Sequence, residues 1–324
     1  MDDREILVSI DHLRTWFHTR AGLLNKQIVK AVDDIRLDIY RGETFGLVGE
    51  SGCGKSTLGR TLVKLYEPTS GRVLVKGKDI AKLSGAELKS FRKSVQLIFQ
   101  DPYASLNPRM TVGEIIREPM VIHHLYATRK EQDDKVSELM HLVGLRPDHI
   151  RRYPHEFSGG QRQRIAIART LALAPEFIVC DEPLSALDVS IQAQIINLLR
   201  QIQKDLGITY LFIAHDLSMV QYISDRIGVM YLGQIIELSD SRELYKNPLH
   251  PYTQTLLSAA PIPDPEADKT KQRVRLHGEI PIAIAPPSGC PFRPRCPYAT
   301  ARCAEEKPQL REVKGHLVSC HKVG

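Results

Sequence analysis

Gly49-Glu50-Ser51-Gly52-Cys53-Gly54-Lys55-Ser56-Thr57 fits the phosphate-binding pattern G-x-x-x-x-G-K-[ST]. Phe45-Gly46-Leu47-Val48 before it reads as a short buried strand. Leu58, Leu62 and Leu65 after it fall at i, i+4 and i+7, so a helix follows. This strand–loop–helix context is what the motif requires. Glycines let successive backbone N–H groups turn inward as an anion nest, and the helix presents its positive end to the same phosphates. Lys55 would reach the β- and γ-phosphates, and the Ser56 hydroxyl would ligate Mg²⁺. The bland alternative is a Gly-rich turn that binds nothing, and both flanks argue against it. A nucleoside triphosphate is the expected ligand.

The 324 residues allow one large or two ordinary domains with an ample core. Composition is ordinary for a globular chain, 42% hydrophobic and 25% charged. A net charge of +6 permits contact with nucleic acid or an anionic membrane surface but requires neither. No run of 18 apolar residues exists to span a bilayer. Met1-Asp2-Asp3-Arg4-Glu5 is acidic where a signal peptide would be basic, so a cytosolic location is expected. Four of six cysteines, Cys290, Cys296, Cys303 and Cys320, crowd the C-terminal end, which in a cytosolic chain points to metal rather than disulfides.

Residues 6–10 read as a strand, and Ile35, Leu37 and Ile39 alternate with polar neighbours as a second, with Trp16-Phe17 in a polar loop between them. Residues 71–77 read as a third, completing a small antiparallel β portion. Val95–Phe99 reads as a buried strand ending at Gln100. A helical insertion follows over about 103–173, closing with a helix whose apolar stripe is Ile165, Ala168, Leu171 and Ala172, with Arg162, Gln163 and Arg169 off it. Buried strands ending at Asp181-Glu182 and at His215-Asp216 alternate with helices, which predicts an α/β fold with a parallel-sheet core. Residues 229–238 read as a closing hairpin around Gly233. Nine prolines between Pro261 and Pro297, around a charged stretch at 264–275, mark a linker before the cysteine module. The expected domains are residues 1–255 and 256–324.

Ser158-Gly159-Gly160-Gln161 at a helix start offers a second anion site, against the alternative of an N-cap serine with flexible glycines. Asp181-Glu182 closes an apolar strand, where charges are unexpected without partners. Asp181 would hold Mg²⁺ through water, and Glu182 would polarise the attacking water as general base. His215 also ends an apolar strand, and a γ-phosphate contact is the reading favoured over a structural histidine.

These residues in this order, together with Gln100 and Ser185-Ala186-Leu187-Asp188, resemble the ATP-binding cassette (ABC) ATPases over roughly residues 5–255. The resemblance implies a head-to-tail dimer in which the Ser158 loop of one subunit covers ATP held by the phosphate loop of the other. Hydrolysis would then be tied to closure. It further implies that Gln100 senses Mg²⁺, that the Asp188 turn communicates across the dimer, and that Phe17, or else Trp16, stacks on adenine unless it is a core anchor. The implied nucleotide-binding residues are Phe17, Gly49, Ser51 to Thr57, Gln100, Ser158 to Gln161, Asp181 and Asp188, with Glu182, His215, Lys55 and Gln100 catalytic and Ser56, Gln100 and Asp181 around Mg²⁺. Two departures stand out. Phe157 replaces a usual leucine, and Cys53 is either filler or a thiol at a helix N-terminus, reactive to alkylation without ATP. Cys180 reads as a small core hydrophobe.

His250-Pro251-Tyr252-Thr253, the Pro-rich linker, the four cysteines and the segment Phe99 to Arg109 resemble the oligopeptide/dipeptide importer subclass, closest to the second ATPase subunit of bacterial dipeptide importers. That implies a paralogous ATPase forming a heterodimer, two membrane-spanning permease subunits contacted by residues 103–120, an extracytoplasmic peptide-binding protein, and a peripheral position on the inner membrane's cytoplasmic face. The spacing C-x5-C-x6-C-x16-C suits Zn²⁺ or an iron–sulfur cluster, with His316 and His321 as possible substitute ligands. Resemblance to the subclass favours a [4Fe–4S] cluster. Nickel and glutathione importers use similar ATPases. A DNA-associated cassette ATPase is disfavoured, because only about 100 residues without heptads separate phosphate loop and Ser158, and the basic residues are scattered, so no nucleic-acid partner is expected.

Overall fold

The structure, a computed structural model, describes residues 4–21, 25–185, 187–259, 284 and 286–323. The proline-rich stretch over 260–283, with the charged segment inside it, Ala186 of the Ser185–Asp188 motif, and residues 1–3 lie outside the described residues. The chain divides into two compact units, residues 1–81 with 212–324, and residues 82–211.

In chain order, the first unit opens with β1 (Ile6–Ala21), β2 (Asn25–Tyr40), β3 (Thr44–Val48), α1 (Lys55–Leu62), β4 (Ser70–Val75) and β5 (Lys78–Asp79). The second unit holds α2 (Gly85–Ser94), β6 (Val95–Ile98), α3 (Pro102–Ser105), α4 (Val112–Ile122), α5 (Arg129–Leu142), α6 (Gly159–Leu171), β7 (Phe177–Asp181) and α7 (Val189–Leu206). After β8 (Thr209–Ile213) the first unit resumes with α8 (Leu217–Ile223), β9 (Arg226–Tyr231), β10 (Gln234–Asp240), α9 (Ser241–Lys246), α10 (Pro251–Ala259), α11 (Ala301–Glu305), β11 (Arg311–Val313) and β12 (His316–Val318).

Within the first unit, one sheet has the antiparallel order β2-β1-β4-β5. The expected polar loop carrying Trp16-Phe17 is instead part of β1, which pairs with β2 along its length. Period-2 reading fails there because the ladder shifts register after Ile10 and again after Thr15, while His12 and Asp34 take left-handed backbone at φ 50 and 69. His12 Nδ1 and Asp34 Oδ1 meet at 2.7 Å across this irregularity. A second, mixed series runs β11-β12-β10-β9-β3. Here β3 lies parallel to β9, with Phe45 opposite Arg226, and every residue of β3 is buried. Continuous burial explains why β3 reads as an unbroken apolar run.

Within the second unit, β6 and β7 pair in parallel from Val95 opposite Phe177 to Ile98 opposite Cys180. Among the described residues no strand falls between them, and the intervening segment is helical as expected. Capping boxes start α4 (Thr111 with Glu114) and α5 (Thr128 with Glu131). The one-sided stripe expected for α6 is corrected: Arg162 and Gln163 are buried, so α6 is enclosed nearly all round. Arg162 tolerates burial by donating to the carbonyls of Pro154 at 2.6 Å and His155 at 3.2 Å.

The C-terminal extension is built into the first unit. β12 hydrogen-bonds to β10, and Phe292 is buried against Tyr231, Tyr252 and His250, with ring centroids 5.4, 5.5 and 5.7 Å away. Fully buried Glu237 accepts from the N–H groups of Leu249 (2.8 Å) and His250 (3.0 Å), and its Oε1 meets His316 Nδ1 at 2.9 Å. His250 Nδ1 accepts from Tyr252 N–H at 3.0 Å, and its ring also bonds the Ser319 backbone. Burial holds the His250 pKa down from 6.5 to about 3. The unfolded chain therefore takes up a proton as pH falls below about 6.5 that the folded chain refuses until about 3, and stability is lost across that window. His250→Asn, which keeps an acceptor but cannot titrate, should flatten the fall of thermal unfolding temperature between pH 6.5 and 4.5, removing about 1.4 kcal/mol per pH unit of acid sensitivity.

Candidate nucleotide site

The phosphate loop runs from the end of β3 into α1, and Lys55 is the first residue of that helix. Its ammonium donates to the loop's own carbonyls, Gly49 at 2.8 Å and Glu50 at 3.2 Å, and only 4% of the residue is exposed. Ser51 and Gly52 are exposed at the tip, and Ser56 and Thr57 are half-buried on the first turn of α1. Gly54 has φ 108, and a Cβ there would lie 1.9 Å from the Ala31 carbonyl of β2. The loop therefore seats directly on β2. At Cys53 the structure decides between the two readings: the thiol is buried, and burial pushes its pKa up, so it is filler rather than a reactive thiolate. Phe17 packs edge-on against Tyr66 with centroids 5.2 Å apart, and Trp16, on the opposite face of β1, has Lys30 Nζ 4.9 Å from its ring. His215 is exposed beyond β8, before Asp216, which caps α8 by accepting from Ser218 N–H at 2.8 Å.

In the second unit, β7 carries Asp181 fully buried at its end. Glu182 follows in a left-handed conformation, φ 46, where a non-glycine residue costs on the order of 1–3 kcal/mol. A turn in which the Glu182 carbonyl accepts from Ser185 N–H at 3.3 Å sustains it. Gln100, just beyond β6, donates from Nε2 to Glu182 Oε2 at 2.8 Å. Two residues 82 positions apart are thus joined at the same end of the parallel β6–β7 pair.

Ser158 is the N-cap of α6, reciprocally bonded with Gln161 in a capping box. Its side chain is exposed while Gly160 is buried, because a Cβ on Gly160 would meet Ile191 Cγ2 at 2.4 Å. Ile191 lies on α7, whose N-cap is Asp188. Hydrogen bonds from Ser190 and from Ile191 N–H hold the Asp188 carboxyl below its usual range. The Ser158 loop and the Asp188 turn are therefore packed as one piece. Phe157 is buried edge-on against His149 and fills the packing position expected of it.

Burial first, then the nearby Cys303 and Cys320 thiols, push Cys290 up to about 11, and Cys296 is raised by burial and by the same two neighbours. Even so, among the described residues no group of three or more His, Cys, Asp or Glu is arranged to hold a metal ion. The geometry does not support the expected [4Fe–4S] or Zn²⁺ site. His316 Nδ1 is engaged by Glu237 at 2.9 Å and His321 Nε2 by the Glu306 carbonyl at 3.0 Å, so each ring has one nitrogen committed within the protein. Cys180 is a fully buried core residue, as expected.

Sequence reasoning missed what surrounds Glu50. Its N–H donates to the Tyr252 hydroxyl at 2.9 Å, and its carboxylate receives both terminal nitrogens of Arg295, at 2.7 and 2.8 Å. The available signal was an arginine set between Cys290 and Cys296 in an otherwise proline-rich run. For the loop itself, Gly54→Ala should lower stability by more than about 2 kcal/mol, because strain and a backbone clash coincide. Gly52→Ala meets nothing within 4 Å and should cost only about 1–2 kcal/mol from its positive φ. Thermal unfolding of the two variants checks the difference.

Comparison with known proteins agrees with this geometry. A model of the ABC transporter family matches residues 32–185, and one of the oligopeptide/dipeptide transporter C-terminal region matches residues 236–303. The chain is 60% identical to the oligopeptide transport ATP-binding protein OppF of Bacillus subtilis over 318 residues, 98% of this chain and 96% of that one. It is 52% identical to OppF of Escherichia coli over 326 residues, covering 99% and 98%. Among solved structures, the dimeric post-hydrolysis state of the ATP-binding cassette MJ0796, bound to ADP and Pi, superposes with a TM-score of 0.65 at 27% identity, over 72% of this chain and 99% of that one. No described helix is long and apolar enough to cross a membrane. The chain belongs to the ABC transporter ATPases, in the group that carries the oligopeptide/dipeptide transporter C-terminal region.

Proposed function

We propose that this chain is the ATP-hydrolysing subunit of an importer for di- and oligopeptides. The observation that carries the reading is similarity across nearly the whole chain, tail included, to proteins named for oligopeptide transport. That similarity also favours peptides over the nickel, glutathione and DNA-associated alternatives. The ATPase domain is residues 1–255 and the extension residues 256–324. The partners are a paralogous ATPase, two permease subunits approached by residues 103–120, and an extracytoplasmic peptide-binding protein, with the chain peripheral on the cytoplasmic face of the inner membrane.

In this reading the phosphate-loop N–H groups and Lys55 bind the triphosphate, and Phe17 stacks on adenine. Ser56, Gln100 and Asp181 offer hydroxyl, amide and carboxylate oxygens, the hard donors that Mg²⁺ takes; bound there, Mg²⁺ neutralises phosphate charge. Glu182 accepts a proton from the attacking water, and its bond to Gln100 holds the carboxylate in one orientation. His215 contacts the γ-phosphate. The exposed Ser158, at the positive end of α6, covers the nucleotide of the neighbouring ATPase. The Asp188 turn packed against it conveys closure. Donor chemistry alone, four thiols within one short extension, supports a [4Fe–4S] cluster there, with Zn²⁺ as the alternative.

Glu182→Gln should retain ATP binding and trap the closed dimer while turnover collapses, by about 10² or more. Undiminished hydrolysis in that variant would remove Glu182 from its role. Anaerobically purified protein should be brown, with broad absorption near about 400 nm for a cysteine-ligated cluster. A colourless preparation with stoichiometric zinc would assign the thiols to zinc.

A further inference from the structure

We propose that Arg295 is a positioning residue for the phosphate loop, so that the C-terminal extension sets the affinity of the nucleotide site. The inference rests on reading that loop as the nucleotide cradle. Glu50 is the second residue of the loop, and it is held at three points. Its N–H donates to Tyr252, its carbonyl accepts from Lys55 Nζ at 3.2 Å and Cys53 N–H at 3.2 Å, and its carboxylate is bound in both oxygens by Arg295. The carbonyls that orient Lys55 therefore belong to peptides whose attitude is fixed from outside the loop.

Arg295 is itself held firmly. It closes the short turn Arg293–Arg295 that follows Phe292, and Phe292 is wedged among Tyr231, Tyr252 and His250. Its guanidinium lies 6.0 Å from the Tyr231 ring centroid, and its side chain is 6% exposed. A forked, nearly enclosed arginine–carboxylate pair has one geometry and loses much when either partner is removed. An anion nest works only when its N–H groups converge, so small rotations of the Gly49–Glu50 peptides should translate into affinity. Arg293, two residues away, directs its guanidinium to the exposed Ser288 hydroxyl at 3.3 Å and serves as the matched control.

The test is MgATP binding by calorimetry on the full chain, with thermal unfolding measured in parallel without nucleotide. Arg295→Ala should weaken binding at least about fivefold, Arg293→Ala should not, and Arg295→Lys should fall between. Glu50→Gln should weaken binding as Arg295→Ala does, and the double variant should be no worse than the weaker-binding single, because one interaction is lost either way. Val136→Ala, which loosens packing on α5 and leaves the ion pair untouched, should lower the unfolding temperature and leave affinity unchanged. Wild-type affinity in both Arg295→Ala and Glu50→Gln, additive losses, or affinity that simply tracks unfolding temperature across the set would each overturn the proposal. A wild-type chain that binds no MgATP would overturn the nucleotide reading, and this inference with it.

Discussion

A lysine ammonium almost wholly removed from solvent, bonded to carbonyls of its own loop, is the constraint on which this molecule turns. Lys55 is fixed to the Gly49 and Glu50 carbonyls, and these supply partial negative charge where a buried cation calls for a full one. In the proposed function a triphosphate supplies it. The surrounding construction follows from that need: a fully buried β3 delivers the loop, close contact of Gly54 with β2 seats it, and α1 adds its positive end.

Around the loop the first unit is stitched together by long-range polar contacts rather than by neighbours in sequence. Tyr252 and Arg295 both reach Glu50, from 202 and 245 residues away. His250 ties the same region to Ser319, and Glu237 ties it to His316. The motif His250-Pro251-Tyr252-Thr253 thus acquires a physical meaning. Its histidine stays neutral to bridge α10 and the chain's end, and its tyrosine hydroxyl accepts from the loop. In the second unit, the bond from Gln100 holds the Glu182 carboxylate at one orientation, as the general-base role proposed for it requires.

Much of this was legible because it is local. The phosphate loop, the apolar strands ending in Asp181-Glu182 and the helical character of residues 103–171 each follow from spacing over a few residues. Three things were not. The length of β1 was hidden by register shifts at His12 and Asp34, which break the alternation that reveals strands. Burial of Arg162 was hidden because its partners are backbone carbonyls of the preceding turn, invisible to a hydrophobic pattern. The clamp on Glu50 was hidden because no local rule pairs an acid in one motif with an arginine near the other end of the chain. The cysteine spacing suggested a metal site and family resemblance the choice of [4Fe–4S], but the described side chains show no ligand geometry for either metal.

The central claim is that the buried Lys55 charge is there for a phosphate. Calorimetric MgATP binding to Lys55→Met tests it most directly, since methionine matches the stem and removes the charge. The account predicts affinity lower by about a hundredfold or more, with thermal stability kept or raised because a buried cation is gone. Wild-type affinity in a folded Lys55→Met chain would contradict it.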